Sequence, residues 1–185
     1  TRLDVFYNHL SDLINFQTVG ATRTLINGGD ADIYGVEGGV EILAANWLSG
    51  FANVSYQKIG QTFTGVFQRG APDFKANVGV RGEWETGLSA EGSVNYVAGA
   101  TYPLIDFFRA LAPVLPTQTN PTVNNYTLLH LRGAYKFWQE KAEAGYMRDA
   151  EVAISAFNSL NDTHKEHPLG DQIGSRVMGW LTVRY

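Results

Sequence analysis

Hydrophobic and polar residues alternate with a period of two along most of the chain, the mark of strands with one apolar face. Residues 73–85 show it most cleanly. Phe74, Ala76, Val78, Val80, Gly82 and Trp84 share one face, and Asp73, Lys75, Asn77, Gly79, Arg81 and Glu83 the other. Residues 2–9 set Leu3, Val5 and Tyr7 against Arg2, Asp4, Phe6 and Asn8, and a strand within 22–43 sets Val36, Gly38, Val40 and Ile42 against Glu37 and Glu41. In 47–57, Leu48 to Tyr56 alternate with Trp47, Ser49, Phe51, Asn53 and Ser55. In 87–98, Leu88, Ala90, Gly92, Val94 and Tyr96 oppose Ser89, Glu91, Ser93 and Asn95. In 126–138, Leu129, Leu131, Gly133, Tyr135 and Phe137 oppose His130, Arg132, Ala134 and Lys136. A seventh strand is expected at 150–158, with Val152, Ile154 and Ala156 facing one way. The last, in 175–185, sets Val177, Gly179, Leu181, Val183 and Tyr185 against Arg176, Met178, Trp180, Thr182 and Arg184. Ala31 and Ile33 fall on the wrong parity, which predicts a bulge near Tyr34–Gly35. The only helix-like stretch is a short one at 104–112.

The connections alternate in length. Those near 44–46 and 85–87 are short, and 139–149 is longer but charged and compact. Those at 10–21, 58–72, 99–125 and 159–174 are long. Short turns at one end and long loops at the other is the layout of an outer-membrane barrel. A soluble barrel or sandwich shows the same alternation, so three further features decide which face is wet. Apolar-face aromatics cluster at strand ends: Tyr56, Phe74 and Tyr96 beside long loops, and Trp84, Phe137 and Tyr185 beside short turns. Such rings suit the two headgroup levels of a bilayer. The strands run to about 10–12 residues, enough to cross hydrocarbon at a tilt. Many apolar-face positions are Gly or Ala, which fill a soluble core poorly but cost little against lipid. The expected fold is all-β, an antiparallel up-and-down transmembrane β-barrel with its oily face outward.

Composition narrows the function. The 20 glycines, 10 Phe, 9 Tyr and 4 Trp suit tight turns and strands. A net charge of −4 and a pI near 5.5 argue against a nucleic-acid partner. No cysteine is present, so neither a disulfide framework nor a thiolate metal site exists. No apolar run is long enough for a transmembrane helix. Thr1 falls inside an alternating pattern, as expected of a fragment boundary.

Three stretches resemble the barrel of TonB-dependent outer-membrane receptors. They are "NGGDADIYGVEGGVEI" (27–42), "RGAPDFKANVGVRGEW" (69–84) and "VAISAFNSLNDTHKEHPLGDQIGSRVMGWLTVRY" (152–185). In the third, the family's Asn-Leu-Phe-Asp becomes Asn158, Ser159, Leu160, Asn161, Asp162. Barrels of that family have about 22 strands around a plug. The resemblance implies that residues 1–185 are the last eight strands of such a barrel, with the plug and the N-terminal strands outside this chain. A self-contained eight-stranded barrel with a structural or adhesive role is the alternative. The resemblance further implies a Gram-negative outer membrane and import of a scarce solute, most often a ferric siderophore or other metal chelate. The implied partners are outer-membrane lipid, the protein's own plug domain, TonB, and the barrel-assembly machinery reading Gly179, Leu181, Val183 and Tyr185.

The lumen-facing charges would be Lys75, Arg81, Glu83, Glu91, Arg132, Lys136, Arg176 and Arg184, contacting a plug or forming a wall of mutual ion pairs. The loop 99–125 exposes Tyr102, Leu104, Ile105, Phe107, Phe108 and Arg109 where polar residues are the norm. Tyr102, Phe107, Phe108 and Arg109 are therefore the candidate ligand contacts, unless these rings pack together as a lid. His164 and His167, with Asp162 and Asp171 nearby, have a spacing that can serve a metal, but a solvated loop is the simpler reading. No metal site, cofactor or enzymatic activity is expected. No nucleophile–base pair or phosphate loop occurs.

Overall fold

The computed structural model of the chain describes residues 1–19, 22–61, 70–102, 120–141, 145 and 147–185. Among the described residues the regular elements are all strands. They are β1 (Arg2–Leu10), β2 (Ile14–Val19), β3 (Thr22–Asn27), β4 (Ala31–Ala45), β5 (Leu48–Gln61), β6 (Phe74–Glu83), β7 (Leu88–Val97), β8 (Ala100–Thr101), β9 (Thr122–Val123), β10 (Tyr126–Lys141), β11 (Met147–Phe157) and β12 (Arg176–Arg184). Eight of them form one antiparallel meander in the order β1-β4-β5-β6-β7-β10-β11-β12. The hairpins β2–β3 and β8–β9 sit within two of the long connections. The sheet is open, with β1 and β12 as its edges.

The register explains why period two matters. Residues directly opposite each other point to the same side, so apolar positions line up across strands. One row runs Ile42, Gly50, Val80, Gly92, Leu131, Ala156, Val177, through seven strands without a polar side chain. On the opposite face a parallel row runs Leu43, Ser49, Arg81, Glu91, Arg132, Ser155, Met178. The apolar face is not a core. Val78 is 53% exposed, Leu131 46%, Ile154 60% and Leu181 68%, and no large side chain among the described residues is fully buried. Among the described residues no second layer covers this face, so they lack the packing that stabilises a soluble domain.

Several boundaries differ from the sequence reading. No bulge occurs at Tyr34–Gly35, because the pairing of β4 with β5 runs unbroken from Ala31 to Leu43. Ala31 and Ile33 simply lie on the otherwise polar face near its long-loop end. Bulges occur instead between Leu43 and Ala45 and between Lys136 and Trp138, both near short turns. The second resets the parity of β10, so Trp138 pairs with Ala150, an apolar-face position, although strict alternation puts Trp138 on the polar face. Trp47 is not a strand residue: it sits in the β4–β5 turn and stacks on Trp84 with ring centroids 5.7 Å apart. Residues 139–141 and 147–149 are strand, since Gln139 pairs with Asp149 and Lys141 with Met147. The region 10–27 is not one loop and a strand start but the β2–β3 hairpin, separated from β4 by Gly28–Asp30. The helix expected at 104–112 lies outside the described residues.

Two glycines show what the backbone demands. Gly87 has φ +86° in the β6–β7 turn, where its N–H donates to the Trp84 carbonyl at 3.0 Å. Gly35 lies so close to β5 that a Cβ would fall 2.3 Å from the Tyr56 carbonyl oxygen and 2.7 Å from the Phe6 ring. We expect Gly35→Ala to cost about 1–3 kcal/mol in guanidinium unfolding of the complete protein in detergent micelles. Gly133→Ala, with nothing within 4 Å of the added carbon, is expected to change stability by less than about 0.5 kcal/mol.

Candidate functional site

The charged face and the long-loop end of the sheet hold the candidate chemistry. All eight charges singled out in the sequence share the face opposite the apolar row. Arg81, Glu91 and Arg132 stand side by side on β6, β7 and β10, an alternation of sign at one height. Arg81 pairs with Glu83 on its own strand, and Arg132 reaches Glu151 on β11 at 2.8 Å. Arg184 on β12 reaches Asp149 on β11 at 2.6 Å, the carboxylate being 8% exposed. Arg176 lies over the Phe157 ring, 4.9 Å from its centroid. Arg81, Glu83, Arg132 and Arg184 thus have ion-pair partners within the wall. Asp149 and Glu151 are the partners that sequence reasoning missed, because nothing in β11 taken alone tells which carboxylate a neighbouring strand will reach.

Beside this network lies a groove of about 680 Å³, lined by Arg2, Asp4, Glu37, Glu41, Asn53, Ser55, Lys75, Asn77 and Asn95 among others. Register places Gly39, Asn53, Asn77 and Asn95 in one row across β4 to β7. Such a surface offers amide donors and acceptors flanked by both signs of charge. Val40, Val54, Ala76 and Val97 also contribute to the lining, which is therefore mixed.

The aromatic positions line up as well. Tyr7 is paired with Tyr34, Tyr56 with Phe74, and Phe74 meets Tyr96 with centroids 6.1 Å apart. These five rings follow the long-loop border of the apolar face. Tyr7 and Tyr34 belong to the row although sequence reasoning named only the last three. Beyond it, the Asp32 carboxylate accepts from the Tyr7 hydroxyl at 2.6 Å and bonds His9 Nδ1 at 2.9 Å. At the other border stand Trp47 on Trp84, together with Tyr135, Phe137, Trp138 and Tyr185.

At the long-loop end, Asn158 to Asp162 form a clamp. Asn158 is 3% exposed with φ +51°, and its side chain accepts from the Asp162 N–H and donates to the Asp162 carbonyl, each at 3.0 Å. The Asp162 carboxylate accepts the Thr127 N–H at 2.8 Å, and Asn161 Oδ1 accepts the Ser175 N–H at 3.0 Å. The altered Asn-Ser-Leu-Asn-Asp stretch thus ties the 158–175 connection to β10 and to the entry of β12.

Of the four candidate ligand contacts, Phe107, Phe108 and Arg109 lie outside the described residues, as do Leu104 and Ile105. Tyr102 is described: its hydroxyl donates to the Glu166 carbonyl at 2.9 Å and its ring meets His167 edge-on at 4.8 Å. His164 stacks on Tyr126 at 4.0 Å. Asp162 and His164 are thus used in holding the connection together, and among the described residues no group of three or more His, Cys, Asp or Glu is arranged to hold a metal ion.

An antiparallel meander of long strands, oily on one face, charged on the other and bordered by rings, is the wall of a membrane barrel. A family model described as TonB dependent receptor-like, beta-barrel matches residues 1–158. The chain belongs to that family. The match ends at Asn158, and β12 continues the same sheet beyond it by pairing with β11 from Asp149 to Phe157. No curated protein matches the chain. TonB-dependent receptors are transporters and receptors of the Gram-negative outer membrane, working with a plug and with TonB; they are not enzymes.

The clamp is open to test. Asn158→Ala removes two hydrogen bonds and leaves a non-glycine side chain at positive φ, and we expect it to lower the opening free energy of residues 158–175 by about 2–3 kcal/mol. Amide hydrogen exchange of the complete protein reads this, and Asn158→Gly is expected to restore the backbone part alone.

Proposed function

We propose that this chain is the C-terminal part of the barrel of an outer-membrane importer in a Gram-negative bacterium. The cargo is a scarce solute, a ferric siderophore or another metal chelate, and the energy arrives through TonB. The observation that carries the reading is the uninterrupted apolar row over seven strands, exposed and bordered by aromatic rings, in a chain of this family. A face of that kind is stable only against acyl chains, where strands must pair all their backbone groups.

On this reading Lys75, Arg81, Glu83, Glu91, Arg132, Lys136, Arg176 and Arg184 face the lumen and the plug. Tyr56, Phe74 and Tyr96 meet one headgroup layer and Trp84, Phe137 and Tyr185 the other. Loop 99–125, with Tyr102, Phe107, Phe108 and Arg109, offers the cargo its first contacts. The unpaired edges of β1 and β12 support a wall larger than eight strands, because an edge left open in hydrocarbon exposes a row of unsatisfied N–H and C=O groups. β12 would serve as the strand read by the barrel-assembly machinery.

Two measurements test this. Val78→Arg, on the apolar face, is expected to destabilise the complete protein in liposomes by about 2–4 kcal/mol. Asn53→Arg, on the polar face, is expected to cost under about 1 kcal/mol. Equal costs for the two would overturn the assignment of faces. For transport, deleting the gene should abolish high-affinity uptake of radiolabelled iron presented as a siderophore complex, and loss of TonB should reproduce the defect. Membrane insertion with unaltered iron uptake would leave the barrel standing and remove the cargo.

A further inference from the structure

His164 is buried at the long-loop end, with its side chain 5% exposed in the loop between β11 and β12. Its Nδ1 lies 2.7 Å from the Asp162 carbonyl oxygen. A carbonyl can only accept, so Nδ1 carries the hydrogen and Nε2 of the neutral ring is a bare lone pair. Nε2 has no hydrogen-bond partner among the described residues. Glu166 Oε1 stands 3.8 Å away, too far for a hydrogen bond but near enough to close with a side-chain rotation. The Tyr126 ring covers one face of the imidazole from β10.

Glu166 also ties the loop to its neighbour. Its backbone carbonyl accepts the Tyr102 hydroxyl at 2.9 Å, and Tyr102 contacts His167 edge-on. Tyr102 follows β8 and opens the segment that the sequence marks for recognition. Among the described residues, the charged and titratable groups around His164 are thus Tyr126 on β10, Asp162, Lys165, Glu166 and His167 on its own loop, and Tyr102 through Glu166. The Asp162 carboxylate is turned to the Thr127 N–H. Lys165 is exposed. Glu166 is the acidic side chain placed to answer a proton on Nε2.

We propose that His164 is a proton-operated latch: protonation of Nε2 draws the Glu166 carboxylate into a charge-assisted hydrogen bond and fastens the 159–174 loop to Tyr102 and β10. In the neutral state the imidazole keeps its Nδ1 bond and its stack but leaves Nε2 unanswered, and the loop is held less tightly. Protonation turns Nε2 into a donor, the Glu166 oxygen accepts, and the cation gains the face of Tyr126. The fastening is made with the proton on Nε2 and is lost with it. The device needs no cargo and does not depend on which solute is imported.

Amide exchange of the complete protein in detergent micelles tests it at about pH 5.5 and about pH 8, corrected for the intrinsic pH dependence of exchange. The reporters are the His164 and Ile173 amides, which bond each other's carbonyls across the loop at 3.2 and 2.8 Å. At the acid pH both are expected to exchange roughly tenfold more slowly. Glu166→Ala removes a side chain that is 59% exposed, leaves the backbone carbonyl for Tyr102, and should abolish the difference. His164→Gln should abolish it too. Unchanged or faster exchange at acid pH in the unsubstituted protein would overturn the latch. Acid protection surviving in Glu166→Ala would do the same, because the latch needs that carboxylate.

Discussion

A strand in hydrocarbon has no water to satisfy its N–H and C=O groups, and everything else in this protein follows from that. Each of the eight long strands is hydrogen-bonded along most of its length to its neighbours, antiparallel throughout, so the ladder does the work that a core does in a soluble domain. Side chains are then released from packing duty. The apolar face can carry Gly50, Gly92 and Gly179, which would leave voids in an interior, because fluid lipid fills whatever they vacate.

The same ladder organises the polar face. Once register is set, Arg81, Glu91 and Arg132 have no choice but to stand abreast, and opposite signs on adjacent strands make that arrangement stabilising. The result is a wall in which Arg81 meets Glu83, Arg132 meets Glu151 and Arg184 meets Asp149. The amide row of Asn53, Asn77 and Asn95 beside Glu37, Glu41 and Lys75 is the part of the face with more hydrogen-bonding capacity left to offer.

Specialisation increases toward the long-loop end. Short turns on the opposite side are economical, as in the Trp84–Gly87 turn that leans on β10 through the Lys136 N–H bonded to the Gly87 carbonyl at 2.9 Å. The long connections carry their own structure: two hairpins, the Asn158 clamp, and the His164–Tyr126 stack. Tethering of this kind lets a loop present side chains outward without paying the full entropy of ordering them at each encounter.

Alternation alone marked the eight long strands, the oily and charged faces, and the placement of Lys75, Arg132, Arg184 and their fellows, because side-chain direction in a strand has a strict period of two. The family motifs in 27–42 and 69–84 were legible for the same local reason. What the chain could not announce were features that depend on a neighbour. The bulge after Lys136 that brings Trp138 to the apolar face, the stacking of Trp47 on Trp84, and the choice of Asp149 and Glu151 as ion-pair partners are all settled by register between strands. The break at Gly28–Asp30 and the β2–β3 hairpin escaped notice because Ala31 and Ile33 imitate a parity error. Local pattern decides which way a side chain points; only the pairing of strands decides what it meets.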